Sequence, residues 1–228
     1  MSNSKNIREK HNEYLFEAVK NFYKEPIVVE SGKMFRVKDI DGNSYLDFFG
    51  GILTVSVGHA NEEVNAAVIT QIEKLTHISS LYQSIPVVEF AEVMAKLAPN
   101  NLEKVFFTAS GTEADETAVM MAQVFTGNSE LIALRHGYSG RSLLAQSLTA
   151  HSSYRALPTQ VSAIKHALSP YCYRCPFKQN PDTCGMECAK DVDELIKTTT
   201  TGNIAGMLVE PIQGVGGFIT PPDEYFQI

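Results

Sequence analysis

The 228-residue chain is 44% apolar and 20% charged, the balance of a folded protein with a substantial core. Nineteen basic residues against twenty-six acidic ones leave a formal charge of −7, which argues against bulk binding to nucleic acid or an anionic membrane. No apolar run is long enough to span a bilayer, residues 1–12 lack the apolar core of a secretory signal, and four cysteines do not make a secreted disulfide framework at this length, so a cytoplasmic protein is expected.

Residues 1–12 read as a loose polar tail. Lys33–Asp39 and Ser44–Phe49 are two short β runs joined through Asp41-Gly42, a hairpin signal. Gly50-Gly51 and a mostly apolar stretch lead to Gly58-His59. A helix is predicted from Asn61, with Glu62 and Glu63 in its first turn and Val64, Val68, Ile72 and Leu75 as its apolar stripe. Another runs from Pro86 to Ala98, with Val87, Phe90, Met94 and Leu97 inward, and stops at Pro99-Asn100. Strands then alternate with helices. The strands are Lys104–Thr108, Glu130–Leu134, Val161–Ala167 and Ile204–Val209; the helices are 111–126 and 189–199, with a shorter one after Gly140. This order predicts an α/β fold, a mainly parallel sheet flanked by helices behind a short N-terminal β-hairpin. Residues 1–60 would hold the tail, hairpin and a loop, and 61–228 the main domain.

Phe106–Glu116 (FFTASGTEADE) is the most informative stretch. An apolar strand breaks into Ser110-Gly111-Thr112 and opens a helix with Ala114, Ala118, Met121 and Phe125 on one face. Ser110 with Glu113 reads as a capping box, and Gly111 leaves main chain bare where the first helical amides are unpaired. Such an end suits a phosphate. It also suits an ordinary strand-to-helix turn, with Glu113, Asp115 and Glu116 answering the helix dipole. Ligands of open α/β sheets sit beyond the carboxyl ends of the strands. There this chain places Ser110-Gly111-Thr112, then Arg135–Gly140, then Glu210–Gly214.

These segments resemble the class III (ω-amino) pyridoxal-phosphate aminotransferases of fold type I. Phe106–Glu116 is similar to that family's phosphate cup, Leu134–Ser142 to the segment carrying a ring-stacking aromatic, Val209–Gly217 (VEPIQGVGG) to its Glu-Pro strand end, and Gly42–His59 to its N-terminal hairpin and entrance loop. The resemblance implies that Gly111 and Thr112, with Ser110 beside them, hold the phosphate of pyridoxal 5'-phosphate. It implies that Tyr138 stacks on the pyridine ring, that Ser139 and Glu210 sit near that ring, and that Phe49 and Tyr82 line the substrate entrance. The sequence departs from the family at Ser139, where His is frequent, and at Val215, where Glu is usual. The implied reaction moves an amino group from an amine or ω-amino acid, of alanine–glyoxylate or 4-aminobutyrate type, to a 2-oxo acid, in an enzyme expected to be a homodimer when complete.

In that family the Schiff-base lysine, the carboxylate on the pyridine nitrogen and the small C-terminal domain all follow the Glu-Pro segment. Lys104, Lys165, Lys178, Lys190 and Lys197 do not match the lysine motif. The chain therefore resembles a truncated large domain, roughly the N-terminal half of such an enzyme, expected to be inactive alone. The rival reading is a half-protein that binds the cofactor, a metal or a partner without turnover.

Within 170–190, Cys172, Cys175, Cys184 and Cys188 form a C-x2-C, C-x3-C set separated by eight residues. Four thiolates at such spacing suit a tetrahedral zinc; an iron–sulfur cluster and a loop of reduced thiols are the alternatives. Gly137-Tyr138-Ser139-Gly140 invites a serine-hydrolase reading, but Arg141 stands where the elbow motif needs glycine. No phosphate-binding G-x-x-x-x-G-K-[ST] occurs.

Overall fold

The computed structural model describes residues 3–17 and 21–228. Its contacts divide the chain into two compact units, Met1–Met94 and Ala95–Ile228.

The first unit begins with helix α1 (Asn3–Tyr14), so residues 3–12 are not the loose tail expected; residues 1 and 2 lie outside the described residues. The segment has no apolar stripe to announce a helix. It carries a surface i,i+4 pair, Lys5–Glu9, and Arg8 donates to the Pro26 carbonyl at 3.1 Å. Strands β1 (Val29–Lys33), β2 (Arg36–Asp39) and β3 (Ser44–Leu46) form an antiparallel sheet in that order. The single run expected over Lys33–Asp39 is split, because Met34 takes a left-handed φ of 52° and folds β1 back onto β2. The β2–β3 turn at Asp41-Gly42 is as expected. The Asp39 carboxylate gathers the amides of Asp41 and Asn43, the Asn43 side chain and the Tyr45 hydroxyl at 2.8–3.1 Å. These bonds, Asn43's side chain foremost, hold its carboxyl below the usual range.

A one-turn element α2 (Gly50–Leu53) follows, then α3 (Glu62–Lys74) and α4 (Ile85–Leu97). Asn61 caps α3 by accepting the Glu63 and Val64 amides, both at 3.1 Å. The apolar stripes predicted for α3 and α4 exist, but Val64, Val68, Ile72, Leu75, Val87, Phe90, Met94 and Leu97 are all exposed rather than inward. Helical periodicity locates an apolar face; it does not supply what covers it.

The second unit is the α/β layer. Its elements are α5 (Gly111–Thr126), β4 (Glu130–Leu134), α6 (Leu143–Leu148), β5 (Ile164–Ala167), α7 (Glu187–Thr199) and β6 (Ile204–Leu208). The sheet is parallel, in the order β5-β4-β6. β4 reads ELIAL because it is covered on both faces. Leu131 and Ala133 join Val119, Leu148, Ile164 and Ala205 on one side, while Ile132 and Leu134 join Ala167 and Tyr225, backed by α7, on the other. The strand expected over Lys104–Thr108 is absent; residues 102–108 lie outside the sheet. The inward face of α5 is also not the expected one. Val119 is its buried residue and Ala122 lies against Gly206 of β6, whereas Met121 and Phe125 face outward.

Candidate cofactor site at the strand ends

Because β4 and β6 run parallel, their carboxyl ends open on one rim. Beyond β4 the chain turns at His136, held at a left-handed φ of 63°, and continues through Gly137-Tyr138-Ser139-Gly140. Beyond β6 come Glu210 and Gln213. Glu210 joins the two ends: one carboxylate oxygen accepts the Tyr138 amide at 2.7 Å, the other the Gly214 amide at 3.0 Å. Gln213, fully buried, donates through Nε2 to the Arg135 carbonyl at 2.8 Å. Its Oε1 is buried without a protein partner among the described residues.

The α5 terminus supplies a different chemistry. Ser110 caps the helix, its hydroxyl accepting the Glu113 amide at 3.2 Å, and the Glu113 carboxylate accepts the Ala109 amide at 2.7 Å. This is the reciprocal box expected from the sequence, displaced by one residue on its return bond. It leaves the Gly111 and Thr112 amides without an acceptor among the described residues. A Cβ at Gly111 would meet nothing within 4 Å, so an anion has room to approach. Free amides, the positive helix end and the Thr112 hydroxyl are together the chemistry that suits an anion such as phosphate. Gly140 packs directly on the Thr112 side chain: a Cβ there would collide with Oγ1 and lie 3.0 Å from Cβ of Thr112. The loop after β4 thus closes against the start of α5.

Asp115, one turn into α5, lines a cavity of about 60 Å³ with Tyr138, Ser139, Glu210 and Gln213. Burial pushes its carboxyl up and the negative Glu210 adds to this, opposed by a hydrogen bond with Ser139. The Ser139 amide donates to Thr149 Oγ1 at 2.9 Å. Ser139 is therefore engaged by an acid and a threonine, and the hydrolase alternative finds no histidine base on it. Tyr138 is half-buried and its ring meets Tyr154 edge-on at 5.5 Å; His151 stacks edge-on against Tyr154 at the same distance.

The structure thus gathers Tyr138, Ser139 and Glu210 around one cavity and brings Thr112 against Gly140. Phe49 and Tyr82 belong to the first unit, both exposed, with Tyr82 on an open groove beside Gln71 and His77. The four cysteines are free. Among the described residues no three His, Cys, Asp or Glu stand as a formed metal-ligating group, so none of the metal centres considered for the four cysteines is present ready-made. Sequence reasoning missed Asp115, Gly140, Thr149 and Gln213. Asp115 was legible, being at i+4 from Gly111 and so on the same helix face; the buried Gln213 carried no signal.

Residues 18–228 match the model of the class-III aminotransferase family. The chain is 39% identical over 213 residues to alanine–glyoxylate aminotransferase 2 homolog 2, mitochondrial, of Arabidopsis thaliana, covering 93% of this chain and 44% of that protein. It is 34% identical over 209 residues to the leucine/methionine racemase of Thermococcus litoralis, covering 89% and 46%. In three dimensions it matches the (S)-enantioselective omega-transaminase of Thermomicrobium roseum with a TM-score of 0.87 at 28% identity, over 99% of this chain and 53% of that one. The chain spans about half the length of the curated relatives it matches. The family match extends over nearly the whole chain, and the chain belongs to the class-III aminotransferases.

Proposed function

We propose that this chain is the cofactor-binding wall of a transaminase that moves an amino group from an amino acid to a 2-oxo acid, with alanine and glyoxylate the first pair to try. The relative at 39% identity supports that pair. When bound, pyridoxal phosphate supplies the electron sink that loosens a bond at the substrate's α-carbon. The chain's own residues bind and orient. Gly111 and Thr112 hold the phosphate through amides and a hydroxyl, Ser110 fixes the helix end that presents them, and Tyr138 covers the ring. Glu210 holds the Tyr138 main chain in place, and Ser139 is steadied by Asp115 and Thr149. The reactive lysine and the group that answers the pyridine nitrogen are proposed to lie in polypeptide outside these residues. Phe49 and Tyr82 are proposed to shape the substrate entrance, and the complete enzyme is proposed to be a homodimer.

The observation that carries this reading is the pair of unpaired amides at Gly111 and Thr112, beside the Gly140–Thr112 contact. Absorbance titration of the chain with pyridoxal phosphate, with pyridoxal as the control lacking phosphate, tests it. Weak saturable binding that prefers the phosphorylated form, lost in Thr112→Val and reduced in Tyr138→Ala, is expected. Equal binding of both forms overturns the cradle. Alanine–glyoxylate turnover by this chain alone overturns the placing of the lysine. Racemisation without amino transfer by the full-length protein would favour the reaction named for the Thermococcus relative.

A further inference from the structure

The segment between β5 and α7 is long, irregular and rich in proline, and it leaves all four cysteines of the chain around one place. Cys172 opens a single 3-10 turn that Cys175 closes; Cys184 lies just before α7 and Cys188 sits in its first turn. All four line the same small cavity, about 20 Å³, whose other walls include Pro170, Pro176, Phe177 and Met186. That volume is on the scale of one water-sized body. None of the four is in a disulfide, and each is half-buried. Nothing in the aminotransferase chemistry above uses these thiols.

We propose that Cys172, Cys175, Cys184 and Cys188 bind one zinc ion as a structural tetrathiolate site. The C-x2-C and C-x3-C pairs bring two ligands each, and the cation draws the four sulfurs across the cavity they share to ligating distance. The charge and atoms balance as one Zn²⁺ and four thiols giving a dianionic zinc tetrathiolate and four protons released to buffer. The apolar walls exclude competing water, and the closed set leaves no open position, so the ion has no catalytic part. Its effect is to fix the entry of α7 and with it the Tyr225 side of the core.

The test uses the full 228-residue chain, reduced and stripped of metal, with Zn²⁺ and Co²⁺ as probes. One equivalent of zinc, competed by a chromophoric chelator, is expected to protect all four thiols from alkylation. Co²⁺ is expected to give the visible bands of a tetrahedral ion with strong sulfur-to-metal charge transfer. Cys175→Ser, in the loop and outside α7, is expected to weaken binding on the order of 100-fold while keeping the parent's circular dichroism. Protection of fewer than four thiols, absence of the charge-transfer band, or zinc affinity unchanged in Cys175→Ser and Cys184→Ser would each overturn the site. So would iron with labile sulfide, and no zinc, in the protein as purified. The readout does not depend on pyridoxal phosphate binding, so it stands or falls separately from the aminotransferase reading.

Discussion

Glu210 accepts the main-chain amide of Tyr138 at 2.7 Å across 72 residues of sequence, so the carboxylate beyond β6 sets the position of the residue beyond β4. With its second oxygen on the Gly214 amide, it holds both strand-end loops. Glu210→Ala strips acceptors from two amides and should destabilise the chain by about 2 kcal/mol in urea unfolding. Glu210→Gln keeps one acceptor oxygen and should cost less. A Glu210→Ala variant as stable as the parent would show that the loops hold themselves.

Gly140 and Thr112 make the second contact between rim segments. Gly140 has φ +133°, where side chains are strained, and its missing Cβ is the space the Thr112 side chain occupies. Gly140→Ala should therefore cost about 2 kcal/mol or more. In a double-mutant cycle with Thr112→Gly, part of that loss should return, and the remainder reports backbone strain. Full additivity, measured by thermal unfolding, would deny the contact.

Asp115 makes the sheet's rim sensitive to pH. Its carboxyl is raised from the ordinary 3.8 by burial first, then by Glu210. A raised acid contributes stability that is complete below the unfolded value and is lost as pH rises through the folded one. Asp115→Asn should then be more stable than the parent at neutral pH, with the gap closing as pH falls from the raised folded value to the unfolded one. Chemical denaturation across that range measures it; a gap that widens toward acid would reverse the assignment.

Ile132 is 1% exposed at the centre of β4, packed toward Ala167 and Tyr225. Ile132→Ala should cost about 3 kcal/mol. On the opposite face Leu148→Ala should cost a similar amount, and the two should be nearly additive because the sheet separates them. Strong coupling would mean the two cores are one.

Much of this was legible in the residues, for reasons that differ by element. Helix α5 was bounded correctly at 111–126, with Ser110 as its cap, because capping chemistry is local. The β4, β5 and β6 cores were found because apolar strands covered on both faces leave continuous runs. The bare amides at the start of α5 followed from the same local rules. What failed was everything decided by partners distant in sequence. Residues 102–108 have strand composition but form no strand, and the apolar faces of α3 and α4 are exposed where burial was expected. The helical tail was hidden because Asn3–Tyr14 has no apolar stripe. Glu210 was placed near the ring by resemblance, yet no sequence rule says that it bonds the main chain of Tyr138.

The order of the strands carries a consequence for how the chain is made. β4 leaves the ribosome first among the three, with both edges bare, and only β5 and then β6 can cover them. The carboxylate that fixes Tyr138 is synthesised 72 residues after it. During translation, then, the Tyr138 amide lacks its carboxylate until residue 210 arrives, whereas the Ser110 cap of α5, built from neighbours, can already close.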